Sequence, residues 1–168
     1  TTALDEEDRL VIGGCLLSEL AQRYGTPLYV LDEDTVRASC RAYRDALQQY
    51  YPGTSLPVYA SKANSSLLMS SIAAAEGLGL DAVSAGELLT ALQGGMPGER
   101  MVLHGNNKND EELLLAYKNN VTVVVDNQHD LDRLKALIPA DAEPARLMLR
   151  FTPGIECHTH EYIRTGHL

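Results

Sequence analysis

The sequence predicts an α/β protein built as a (β/α) barrel of the TIM type, incomplete, with about five of the eight strand–helix units such a barrel contains. Three observations carry this. From Leu56 onward, short β-rich runs alternate with amphipathic helical patterns, and the strand starts lie roughly 20 residues apart or a little more, the spacing of βα units in a parallel sheet. Neither Gly-x-Gly-x-x-Gly nor Gly-x-x-x-x-Gly-Lys-Ser/Thr occurs, so a dinucleotide-binding or P-loop sheet has no local support. Polar, chemically capable side chains fall just past the strand ends, where barrels keep their chemistry. A complete barrel takes roughly 250 residues; this chain has 168.

Residues 1–32 read as an N-terminal segment leading into the barrel, and 33–168 as the partial barrel. A helix follows, with Val36, Cys40, Tyr43 and Leu47 on one stripe. The first strand is expected at Val58–Ser61, after the lead-in Leu56-Pro57, and the helix after it places Leu68, Ile72 and Ala75 on one face. A second strand at Asp81–Val83 runs into Ser84-x-x-Glu87, which reads as a capping box opening a helix with Leu88, Ala91 and Leu92 inward and Gly94-Gly95 at its close. The third strand, Met101–Leu103, precedes a second capping box, Asn109-x-x-Glu112, and a helix that buries Leu113, Ala116 and Tyr117. A fourth strand at Thr122–Val125 leads to a helix with Leu131, Leu134 and Ile138 inward, stopped by Pro139, and a fifth is expected at Arg146–Phe151.

Composition narrows the function classes. At 45% hydrophobic and 22% charged residues the chain has enough apolar material for one sizeable core. A net charge of -9, with basic residues scattered, argues against a nucleic-acid partner. No apolar run reaches the roughly 18 residues a membrane span needs, and the acidic start Thr1–Asp8 is unlike a basic targeting peptide, so a cytoplasmic protein is expected. Cys15, Cys40 and Cys157 are odd in number and widely spaced, which suggests no disulfide framework; Cys40 reads as a small core residue.

The stretch YASKAN, residues 59–64, raises the chemical question. Lys62 is one of four lysines and stands at a strand end, where burying an ammonium costs several kcal/mol unless it is paired or neutralised. Desolvation favours the neutral amine, which attacks carbonyl groups. Ser84 and Glu87 follow the second strand, His104-Gly-Asn-Asn-Lys108 the third, and Arg150 closes the fifth, so these ends converge on one mouth around a lysine. Lys108 itself reads as a solvated loop charge.

In order and spacing, YASKAN, GLGLDAVSAGEL, HGNNKNDEEL, VVVDN and LRFTPGIECHTHEYIRTG resemble the N-terminal part of the diaminopimelate decarboxylase family, among the alanine-racemase-like (fold-type III) pyridoxal-phosphate enzymes. The resemblance spans nearly the whole chain. It implies that Lys62 binds pyridoxal 5'-phosphate covalently and later moves protons, and that Asp81, Ser84, Glu87, His104 and Arg150 belong to the cofactor's polar surroundings. Other readings stay open at each: Ser84 and Glu87 also serve as a helix cap, His104 as a hydrogen-bonded rim residue, and Arg150 as a structural ion-pair partner. The implied reaction is loss of carbon dioxide from meso-diaminopimelate to give L-lysine, by an enzyme expected to be a homodimer acting on a small-molecule amino acid. In that family a later glycine-rich loop holds the phosphate, a later glutamate faces the ring nitrogen, and a C-terminal β-domain adds a cysteine and a tyrosine. None of these segments is recognised in the 168 residues, which are expected to be a fragment inactive alone.

Two other classes remain. A related pyridoxal-phosphate amino-acid decarboxylase, or a non-catalytic cofactor-binding fragment, shares every motif up to the substrate. A metal-dependent barrel hydrolase would use the His158-x-His160 pair, whose side chains share a side if the backbone is extended.

Overall fold

The computed structural model describes residues 2–151. It opens with a small antiparallel sheet of β1 (Thr2–Leu4), β2 (Leu10–Ile12) and β3 (Cys15–Leu16). Ile12 pairs with Cys15, so Gly13-Gly14 forms a two-residue hairpin loop, and both glycines have positive φ, as the tight turn matched to strand twist requires. Helices α1 (Leu17–Tyr24) and α2 (Glu33–Tyr50) follow.

Five parallel strands make the main sheet: β4 (Val58–Ala60), β5 (Gly79–Ala82), β6 (Met101–Leu103), β7 (Thr122–Val125) and β8 (Leu147–Leu149). Helices α3 (Leu67–Ala75), α4 (Ala85–Gln93), α5 (Asp110–Lys118) and α6 (Gln128–Leu137) connect them. The strand order is β4-β5-β6-β7-β8, all parallel. Doubly wound sheets reverse their strand order at a switch point; this one never does, which is the order of a barrel wall. The incomplete (β/α) barrel expected from the sequence is therefore the observed architecture among the described residues.

Strand register sorts the side chains. Leu80 pairs with Met101, and Ala82, Leu103 and Val123 lie side by side on the same face. All five are at most 1% exposed, packed against Ile72, Leu88, Leu113 and the other inward residues of α3 to α6. At roughly 1.5–3 kcal/mol per fully buried aliphatic side chain, this face between sheet and helices is the principal stabilising layer. The opposite face, carrying Ala60, Asp81 and Val102, is the one a barrel turns toward its axis.

Two local expectations are corrected. In α3 the buried positions are Met69, Ser70, Ile72 and Ala73, while Leu68 is 49% exposed and Ala75 lies outside. The helix is apolar nearly all round, so its sequence leaves the rotation undetermined; Glu76 settles it, buried at its end by Arg37 and Arg41 reaching across from α2. The Ser84–Glu87 box is only half formed. Ser84 Oγ accepts from Glu87 N at 3.3 Å, but Glu87 Oε2 accepts from Val83 N rather than from the cap residue. Asn109 and Glu112 do form the complete reciprocal box.

Candidate functional site

The mouth of the sheet is organised from β5. Asp81 points to the axial face, and the backbone N–H of His104, one residue past β6, donates to the Ala82 carbonyl at 2.8 Å. That bond carries the ladder one step beyond β6 and brings His104 Nε2 to 3.6 Å from Asp81 Oδ1. Asp81 Oδ1 is buried and has no hydrogen-bond partner among the described residues. Burial pushes the Asp81 carboxyl above the usual carboxylate range; His104 and then Lys62 pull it back, and the nearby Glu87 charge adds to the rise. A buried acceptor without a donor is uncommon in folded proteins and marks a position that a ligand or further polar group completes.

Lys62 sits in a 3₁₀ turn, Ser61–Ala63, at the end of β4, close enough to Asp81 for its ammonium to act on that carboxylate. The burial anticipated for Lys62 is not observed: its side chain is exposed, because the axial face is uncovered on this side of the sheet. Arg150 follows β8, its N–H donating to Val125 O at 2.9 Å, and it too is exposed; among the described residues no acid pairs with its guanidinium. Ser84 is occupied as the N-cap of α4.

Glu87 stands one layer behind these groups. Its Oε2 accepts from the Ser61 hydroxyl at 2.6 Å and from Val83 N at 2.7 Å, and the same hydroxyl lies 2.8 Å from the Asp81 carbonyl. The residue before Lys62 is thus tied to the start of α4. Equivalent acids repeat the device at the next two units. Glu112, in the first turn of α5, accepts from Asn109 N at 3.0 Å and from Ala85 N at 3.1 Å. Asp130, in the first turn of α6, has its N–H held by Asn127 Oδ1 at 2.9 Å and accepts from Lys108 Nζ at 2.5 Å. Three successive helices each fasten their first turn to the preceding unit of the rim, and two of the three patterns are legible as capping boxes.

Sequence reasoning missed Ser61, Asp126 and Asp130 and misjudged Lys108. Lys108 is 5% exposed and pairs with Asp130 and, at 3.4 Å, Asp126, so it is no solvated loop charge. The third cap pattern, Asn127-x-x-Asp130, was the signal available. His158 and His160, on which the metal alternative depends, lie outside the described residues.

An exposed amine, a carboxylate with an unfilled acceptor and an imidazole around one open mouth fit a polar ring bearing a carbonyl; among the described residues Asp81, His104 and Lys62 are brought together, whereas no hydrogen bond or ion pair joins Arg150 to them. Comparison with known proteins agrees with that chemistry. The family model described as pyridoxal-dependent decarboxylase, pyridoxal binding domain, matches residues 33–168. A diaminopimelate decarboxylase of Synechocystis sp. is 46% identical over 176 aligned residues, which take in 100% of this chain and 38% of that relative. The crystal structure of diaminopimelate decarboxylase from M. jannaschi superposes with a TM-score of 0.86 at 31% identity, over 95% of this chain and 38% of that one. The Helicobacter pylori diaminopimelate decarboxylase solved with L-lysine superposes with a TM-score of 0.81 at 34% identity, over 89% of this chain and 38% of that one. The chain spans about 38% of the length of these relatives. With the matched residues and the superposition in agreement, the chain belongs to the pyridoxal-dependent decarboxylase family through its pyridoxal binding domain.

Proposed function

We propose that this chain provides the cofactor-attachment portion of a diaminopimelate decarboxylase, which converts meso-diaminopimelate to L-lysine and carbon dioxide in the last step of lysine biosynthesis. The observation that carries the reading is the meeting of Lys62, His104 and the unfilled Asp81 oxygen at one mouth. Pyridoxal phosphate, when bound, supplies an electron sink for the charge left as a carboxylate departs.

The chain's own residues do the rest. Lys62 Nζ would be the covalent attachment point, and the same amine would move a proton at the substrate carbon. Asp81 Oδ1, buried and without a donor among the described residues, would accept a hydrogen bond from the bound group. His104 covers the mouth beside Asp81. Arg150, at the far strand end, orients carboxylates that enter; Ser84 lines the rim next to them. Glu87 acts through Ser61, fixing the turn that carries Lys62. In the reaction the bond to the leaving carboxylate breaks, its electron pair stays with the substrate carbon, and a proton replaces carbon dioxide.

The same reading divides the chain into a leading segment, 1–32, and a partial cofactor-binding barrel, 33–168, with the C-terminal β-domain outside it, and makes the protein a cytoplasmic homodimer. No helix among the described residues is long and apolar enough to cross a membrane. The test is carbon dioxide release by the intact protein from meso-diaminopimelate, L-lysine, L-ornithine and L-arginine in parallel. Preference for meso-diaminopimelate is expected; faster release from another of these amino acids would move the protein to a related decarboxylase.

A further inference from the structure

Lys108 is a cation that the proposed chemistry does not use, and it is almost fully withdrawn from water, its side chain 1% exposed. Its ammonium donates to Asp130 Oδ2 at 2.5 Å, to the Gly105 carbonyl, and to Asp126 Oδ1 at 3.4 Å. Three donors meet three acceptors, from the loop after β6, the end of β7 and the first turn of α6. Burying such a cluster is weak evidence of stabilisation, since well-packed apolar residues of similar volume commonly do as well. What the cluster fixes is a shape. Gly105 has φ +125°, a conformation side-chain-bearing residues rarely adopt, and its carbonyl meets Lys108 in that conformation. Gly105 directly follows His104, whose own N–H is held by Ala82 O.

We propose that Lys108 is a positioning residue for His104: by clamping the Gly105 carbonyl to Asp126 and Asp130, it sets the imidazole against Asp81. The proposal rests on reading Lys62, Asp81 and His104 as the cofactor site. Held from one side by the β5 ladder and from the other by the buried ammonium, the His104 backbone has little freedom left. Without the clamp, the positive-φ turn is free to relax and the imidazole leaves Asp81.

The test is a double-mutant cycle in the intact protein. Lys108→Met is combined with Asp130→Asn, so that no uncompensated pair of carboxylates stays buried, and the pair of changes is made with His104 present and with His104→Ala. Pyridoxal phosphate affinity is read by titration, and the His104 ring signals by NMR without cofactor. The expected result is a rise in Kd of about tenfold with His104 present, in the range of coupling between contacting residues, and less than about twofold with His104→Ala. The His104 ring signals should shift or broaden. Equal losses of affinity in both backgrounds, or unmoved ring signals, would overturn the assignment. Should the paired variant fail to fold, Lys108→Arg, which keeps the charge but not the reach, runs the same cycle. Failure of the parent reading looks different: the unmodified protein then takes up no pyridoxal phosphate at Lys62, and the ring signals alone decide the clamp.

Discussion

The carboxylate of Glu87 and the hydroxyl of Ser61 are 2.6 Å apart, joining the first turn of α4 to the residue that precedes Lys62. Ser61 has one hydroxyl hydrogen and two acceptors in reach, Glu87 Oε2 and the Asp81 carbonyl. A glutamine at position 87 can place its carbonyl oxygen where Glu87 Oε2 sits and still accept from both Ser61 Oγ and Val83 N, losing only the charge. Glu87→Gln should therefore change stability by less than about 1 kcal/mol, whereas Glu87→Ala, leaving donors without an acceptor, should cost about 1–3 kcal/mol. Turnover of the intact protein should nonetheless fall on the order of tenfold with Glu87→Gln, as for other residues that orient a reactive group from behind. Thermal melts and carbon dioxide release measure the two separately; unchanged turnover would make Glu87 purely a fastener.

Covalent attachment should occur at Lys62. Borohydride reduction of the cofactor-loaded intact protein, followed by peptide mass mapping, should place the adduct on the peptide containing residues 59–64. Lys108 is excluded by its burial between Asp126 and Asp130. An adduct on Lys118 or Lys135 would sink the assignment.

Acid stability should carry the mark of Glu76. Hydrogen bonds from Arg41 and then Arg37 hold its carboxyl down to about 2, against an ordinary 4.5. Between those values the unfolded chain binds a proton that the folded chain does not. The stabilisation is thus complete above about pH 4.5 and is lost as pH falls toward 2. Glu76→Gln should be less stable than the parent at pH 7, and the gap should close across that window in denaturant titrations. A gap independent of pH would show that the link from α2 to α3 holds without its charge.

The sequence made the βα alternation legible because each unit carries its own punctuation. The strands Met101–Leu103 and Thr122–Val125 are read to the residue, since a cap pattern follows each and an apolar run fills it. The Gly13-Gly14 pair marks the hairpin of the leading segment in the same way, two glycines between short apolar runs. The face of α3 was not legible, because Leu67–Ala75 offers no polar side to fix the phase and the fixing contact, Glu76 with Arg41, is 35 residues distant in sequence. Within the site, Lys62 and His104 were visible as strand-end residues, whereas Asp81, expected at the start of its strand, entered only through the family resemblance. The burial of Lys108 was not visible, since its partners lie 18 and 22 residues ahead and a lysine among asparagines looks solvated until the loop folds inward.

A protein consisting of these 168 residues alone should release no carbon dioxide from meso-diaminopimelate. The axial face of the sheet and the β8 side are open: Val83 is 45% exposed, Met148 51%, Leu149 74% and Phe151 84%. Among the described residues β4 and β8 each have one neighbour, leaving rows of backbone donors and acceptors free to pair with other copies. Apolar side chains beside open strand edges favour association, against which the net charge of -9 is the main opposing force. Lys62 and Arg150 also stay exposed to water, so the electrostatic preorganisation that a closed mouth supplies is missing around both. Any cofactor taken up at Lys62 should leave on dilution. Light scattering after size exclusion, visible absorbance with added pyridoxal phosphate and a carbon dioxide assay test the three parts together. A monomer that melts cooperatively and turns over substrate would show that the five-stranded wall is sufficient and that closure of the barrel is dispensable.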